Sequence, residues 1–237
     1  MNWVYFALAV VGVGCTLIVM VVPLVLLLPQ TDQFRKEFMK RCEKYPEKQE
    51  RCKEVLSAIE EAYVGKDPCN FPEEAYDQLF TKFPFTHPCN KTMFWCNTTD
   101  LVHKFTEERN HFFTLEDTLL GFIMNGWTWW EEKGSNGEDQ WFFSNPDFAD
   151  YACGNTTVML DGQRSKPFDP DTYFARIELK RLKYPRVTKL QVILITENKN
   201  KCDSDSLKEL RKVLDNNISY SCKGIASAQI EECIKKR

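Results

Sequence analysis

Carboxylates and indole rings are the side chains of this chain placed to do chemistry. Glu116 and Asp117 follow Thr114, a good helix N-cap, and precede Leu119, Phe122 and Ile123, which with Leu115 recur at helical spacing. Asp117, three residues after the threonine, completes a capping-box-like pair. As first-turn acids, both residues suit the positive end of a helix dipole. Glu178 lies in the β-rich run Arg176 to Leu179, where an acid is unusual, although the alternation Ile177, Glu178, Leu179 would equally well turn it to solvent. Trp95 and Trp141 read alone as core anchors. The three histidines, His87, His103 and His111, are too scattered for a metal site. No His-Glu-x-x-His, Gly-x-Ser-x-Gly or glycine-rich phosphate loop occurs. Metal and activated-serine chemistries therefore find no support.

These residues must be held by a substantial fold. With 237 residues and 43% hydrophobic content, the chain can bury one large core or two small ones. A net charge of -3 and a pI near 5.8 give no electrostatic case for nucleic acid as a partner. Ten cysteines without a Cys-x-x-Cys pair read as a disulfide framework rather than a zinc site. Four sequons, at Asn90, Asn97, Asn155 and Asn217, point to the same oxidising, secretory compartment. From Trp3 to Leu28 there is no charged residue. That run exceeds a signal-peptide core and spans a bilayer, and no small-x-small cleavage site follows it, so an uncleaved signal anchor is expected. Arg35, Lys36, Lys40 and Arg41 follow the span and would favour the cytosol by the positive-inside rule. The cysteines and sequons downstream outweigh them, giving a type II plasma-membrane protein with an extracellular domain.

The order of elements follows from the pattern. Phe34, Phe38 and Met39, then Val55, Leu56, Ile59 and Tyr63, mark polar-faced helices, with Cys42 and Cys52 spaced for a helix-hairpin staple. A helix with Leu101, Val102, Phe105 and Phe112 leads to the Thr114 segment. After a Gly/Asn/Glu-rich loop, Pro146 opens another helix. The last third reads as strands at Thr156–Leu160, Arg176–Leu179, Leu190–Ile195 and Ile218–Cys222, with a helix from Leu207 to Leu214 before the last. Strand, helix, strand order implies a parallel sheet, whose carboxyl strand ends receive ligands.

The segment Thr-Leu-Glu-Asp-Thr-Leu-Leu-Gly, residues 114–121, resembles the signature of the ADP-ribosyl cyclase/cyclic ADP-ribose hydrolase family of NAD-cleaving ectoenzymes. Pro68-Cys69-Asn70, Pro88-Cys89-Asn90-Lys91 and Asp171 to Leu179 resemble further segments of it in the same order, and the likeness runs from Cys42 to Cys233. Trp95 stands at the spacing from Glu116 that the family pattern calls for. The resemblance implies an α/β ectodomain at 42–237 with a helical N-terminal lobe to about 153, a C-terminal lobe holding a four-stranded parallel sheet, and the site in the cleft between them. Ahead of it would lie a cytoplasmic tail (1–2), the transmembrane anchor (3–28) and a stalk (29–41). Glu178 matches the catalytic glutamate. A carboxylate there would stabilise the oxocarbenium-like ribose formed as neutral nicotinamide departs, with no acid needed for the leaving group. Trp95 and Trp141 would form an aromatic gate over nicotinamide. Glu116, with Asn125 beside it, would bind the carboxamide or the folded intermediate, Asp117 supporting as a cap.

The expected activity is NAD cleavage to nicotinamide with ADP-ribose or cyclic ADP-ribose, products linked to calcium signalling. NAD is then a substrate and no cofactor is implied; NADP as a second substrate and a homodimer are further expectations. A silent receptor or adhesion ectodomain with the same fold is the competing reading. Tyr173, with Phe174 after it, departs from the small polar residue of the hydrolase type and would favour cyclisation. Asn97 replaces an arginine of the hydrolase type and brings a sequon to the mouth of the site. By resemblance Cys42 pairs with Cys52, Cys89 with Cys153 and Cys202 with Cys222. Cys69 and Cys96 are then expected to pair, and Cys233 to remain free.

Overall fold

The computed structural model describes residues 32–45, 51–63, 85, 87–109, 112–125 and 146–235. Two compact units divide the chain, residues 1–61 and 62–237. In the first, a helix over residues 32–42 (α1) is stapled to α2 (Cys52–Tyr63) by the Cys42–Cys52 disulfide, with Cα atoms 5.7 Å apart. Phe34 and Phe38, one turn apart on α1, and Val55 and Ile59 on α2 are buried. Arg35 reaches across to Glu60, its second nitrogen 3.1 Å from the carboxylate. Residues expected to form a stalk up to Arg41 thus lie largely within α1. Among the described residues no helix is long and apolar enough to cross a membrane. The uncharged run from Trp3 to Leu28 lies outside them.

The second unit is built on a four-stranded sheet of order β1-β2-β3-β4, every neighbour parallel. Its strands are β1 (Met93–Cys96), β2 (Gly154–Asp161), β3 (Val187–Ile195) and β4 (Ser219–Ile225). The expected strand at Arg176–Leu179 is not one: that stretch is helical, and Met93–Cys96 supplies the fourth strand. β3 is apolar almost throughout its second half and buried on both faces, as a central parallel strand must be. β4, at an edge, is partly exposed along its length.

Alternation along the strands divides two cores. Phe94, Val158, Leu160, Leu190, Val192 and Leu194 face one side. There they meet Phe148 and Ala149 of α5 (Pro146–Tyr151), Leu179 of α6 (Leu179–Arg181), and Leu207 and Leu210 of α7 (Asp205–Val213). Met93, Met159, Ile193 and Ile195 face the other side, against Val102 of α3 (Thr99–Arg109) and Ile230 of α8 (Ser227–Lys235). Burying a side chain of this size stabilises by about 1.5–3 kcal/mol, so helices on both faces remove the sheet from water.

Two disulfides among the described residues brace the sheet. Cys89–Cys153 joins the approaches to β1 and β2, where Asn90 N–H donates to Cys153 O at 2.9 Å. Gly154 has φ +70°, and a Cβ there would come within 2.4 Å of Asn90 Oδ1, so only glycine fits. Cys202–Cys222 pins the loop before α7 to β4.

Candidate active site

The signature segment folds as two capped turns rather than one helix. A 3₁₀ turn, Leu115–Asp117, comes first, and Asp117 Oδ2 accepts the Thr114 N–H at 2.6 Å and the Thr114 hydroxyl at 3.1 Å. Thr118 then adopts extended backbone and caps α4 (Leu119–Met124), its hydroxyl accepting from Gly121 N–H at 3.0 Å and donating to Leu115 O at 2.7 Å. Gly121 lies so close beneath the first turn that a Cβ would sit 2.0 Å from Leu115 O. Asp117 is thereby committed to the cap. Glu116, half-buried, reaches instead toward Trp95, whose indole Nε1–H donates to Glu116 Oε2 at 3.3 Å.

Glu178 ends a π-helical turn, Phe174–Glu178, in which Leu179 N–H donates to Phe174 O, five residues back. The turn is launched by Thr172, whose hydroxyl donates to Asp169 O at 2.7 Å. Such turns widen a helix and re-aim the side chains after them, and they recur at functional sites. Glu178 is buried. Burial, and secondly the neighbouring Glu116 charge, push its carboxyl up to about 8. The chain therefore sets two acids against each other and removes one of them from water.

Cys96, at the carboxyl end of β1, borders the same place. Asn97 Nδ2 donates to its sulfur at 3.1 Å. Burial pushes its thiol up, opposed by a hydrogen bond with Thr172 and by Arg164, and reinforced by Glu178. Cys96 carries a free thiol, so the expected pairing with Cys69 is not made; Cys69 lies outside the described residues. Cys96 lies on the same side of β1 as Phe94 and packs against that core.

Other expected site residues are distributed unevenly. Tyr173 is half-buried at the start of the π turn. The Phe174 ring, expected at the substrate, is instead buried in the core with its centroid 5.8 Å from that of Phe94. Asn125 is exposed at the end of α4. Trp141, His111 and the Cys233 side chain lie outside the described residues. All four sequon asparagines are exposed, Asn90, Asn155 and Asn217 on the amino-terminal side of the strands and Asn97 alone at a carboxyl end. Sequence reasoning missed Thr172 and His103 as neighbours of the site. The Asp-x-x-Thr spacing before the π turn would have marked the first, whereas nothing local marks the second.

Fold and site together define a parallel α/β protein that gathers two glutamates and a tryptophan at the carboxyl ends of its strands. A family model described as ADP-ribosyl cyclase matches residues 31–142 and 140–237, and the chain belongs to that family. Mouse ADP-ribosyl cyclase/cyclic ADP-ribose hydrolase 1 is 33% identical, the match covering 87% of this chain and 78% of the mouse protein. Human ADP-ribosyl cyclase/cyclic ADP-ribose hydrolase 2 is 26% identical, the match covering 79% of this chain and 68% of the human protein. Porcine CD38, solved with a covalent intermediate, superposes with a TM-score of 0.69 at 30% identity, covering 81% of this chain and 96% of that one.

Proposed function

We propose that this chain cleaves the nicotinamide–ribose bond of NAD, releasing nicotinamide together with ADP-ribose and cyclic ADP-ribose, and that Glu178 is its central catalytic group. The observation that carries the assignment is the meeting of buried Glu178 with Glu116, itself hydrogen-bonded by Trp95. In the free protein Glu178 holds a proton to about pH 8. The pyridinium of NAD is a cation, and its arrival offsets the repulsion between the acids and favours the ionised carboxylate. As the C1′–N bond breaks, both its electrons leave with nicotinamide, and the positive charge passes to the ribose beside Glu178. A covalent intermediate in porcine CD38 supports a carboxylate that can also close on C1′. Water or the adenine N1 of the same molecule then takes that carbon.

Trp95, with Trp141, would stack on the nicotinamide end and exclude water. Tyr173, half-buried beside the π turn, would press the adenine toward the ribose and raise the cyclic share. Tyr173→Ser is expected to lower the ratio of cyclic to linear product several-fold with little change in nicotinamide release; an unchanged ratio removes Tyr173 from that role. A silent receptor is disfavoured because Glu178, Glu116 and Trp95 are all present and the two acids interact. No cofactor is required by this reading, and NADP is a further substrate to assay.

The uncharged run before residue 29, the disulfides and the sequons support a plasma-membrane anchor with the catalytic unit outside. A homodimer is part of the same proposal. The deciding experiment incubates residues Gln33 to Arg237 with NAD and resolves nicotinamide, ADP-ribose and cyclic ADP-ribose by chromatography. Turnover supports the assignment, and a folded, oxidised protein that releases no nicotinamide overturns it. Cleavage of external NAD by intact cells tests the orientation.

A further inference from the structure

His103 is a titratable group that the chemistry above leaves unused. It sits within α3, on the helix that packs against β1 and α8. Its imidazole meets the Trp95 indole in a T-shaped contact, with ring centroids 5.8 Å apart and planes at 71°. Its Nε2 is buried and has no hydrogen-bond partner among the described residues. A buried polar nitrogen left unpaired is unfavourable, and an apolar ring or aliphatic side chain would fill this place more comfortably. The contact gains its meaning from the other bond that Trp95 makes, the indole N–H reaching Glu116 at 3.3 Å.

We propose that His103 is a positioning residue, acting through Trp95: it holds the indole ring in the orientation that lets it hydrogen-bond Glu116 and stack on the bound nicotinamide. Two contacts at different points of the indole fix its plane, where the hydrogen bond alone would leave the ring free to swing about it. The contact also connects the site to the helical layer beneath it, since α3 in turn packs against α8 through the core that holds Val102 and Ile230. This inference rests on the stacking role given to Trp95 above.

The test uses the full-length protein in detergent, as His103→Ala, His103→Phe and Trp95→Phe, with Trp95→Phe/His103→Ala as the double variant. His103→Ala is expected to raise KM for NAD roughly three- to tenfold, as loss of one edge-to-face aromatic pair would, with kcat within about twofold. His103→Phe, which keeps an aromatic partner, should recover most of the loss. In the Trp95→Phe background, which has no indole N–H left to align on Glu116, the alanine substitution should have a much smaller effect. A merely structural histidine would instead lower the active fraction, reducing kcat with KM unchanged, and that result, or additive effects in the double variant, overturns the proposal. A substrate-free readout separates its failure from failure of the NAD assignment. In protein labelled with 5-fluorotryptophan, the Trp95 resonance, identified by its loss in Trp95→Phe, should shift and broaden in His103→Ala. An unmoved resonance overturns the contact whatever the enzyme's substrate.

Discussion

Two segments deliver an acid to the same place by opposite means. From Thr114 to Asn125, short-range caps do the work: Asp117 closes on Thr114, Thr118 closes on Gly121, and Glu116 is left half-exposed between them. From Asp169 to Leu182, the chain uses a π turn packed into the core, and Glu178 is buried at its end. A locally capped loop can present a carboxylate that remains solvated. Only a turn set by tertiary packing can hold one out of water, where its charge counts for more.

The largest effect should come from removing each acid in turn. Glu178→Gln is expected to lower kcat for nicotinamide release by about 10³-fold, whereas Glu116→Gln should cost about ten- to a hundredfold. Equal losses in steady-state assays would erase the distinction between the segments. Next, kcat/KM for the wild type should climb as pH rises from 6 toward 8 and level off above, because the free protein's Glu178 titrates at about 8. The kcat profile should level off at lower pH, since the bound pyridinium favours the carboxylate. A flat kcat/KM profile would mean that Glu178 is ionised before substrate arrives.

Stability should show the same proton. The unfolded chain releases it near the ordinary 4.5, the folded one near 8, so the folded state binds the extra proton between those values and loses stability as pH rises through that window. Glu178→Gln removes the penalty. Without ligand it should melt roughly 5 °C or more above wild type at pH 8 and close to it at pH 4.5, as read by calorimetry. The smallest effect belongs to the capped segment: Thr118→Ala should cost about 1 kcal/mol in denaturant unfolding, and should raise KM only modestly.

The same contrast explains what was legible in the sequence. Thr114, Asp117 and the carboxylate of Glu116 could be placed because a cap is a matter of residues three apart. The parallel sheet was legible from β-branched runs spaced by helices, and three disulfides from the resemblance. Glu178 was assigned by resemblance, but its setting was misread, because Ala175-Arg-Ile-Glu-Leu179 suits a strand locally and becomes a π turn only when Phe174 and Leu179 pack beneath it. Met93–Cys96 escaped notice as a strand because four residues buried mostly on both faces carry no alternation of polarity. The burial of the Phe174 ring follows from the first of these misread elements.

A π turn is an α-helix carrying one surplus residue, and this has a consequence for how the protein can fail. Deleting a single residue such as Ala175 would let Leu179 N–H keep its bond to Phe174 O as an ordinary α-helical contact, with the flanks in register but the side chains inside the turn re-aimed. Every side chain of the site would still be encoded, yet Glu178 would no longer face Glu116. A deletion between Tyr173 and Leu179 is therefore expected to lower nicotinamide release with every site residue still present, a loss that a tally of site residues would not register.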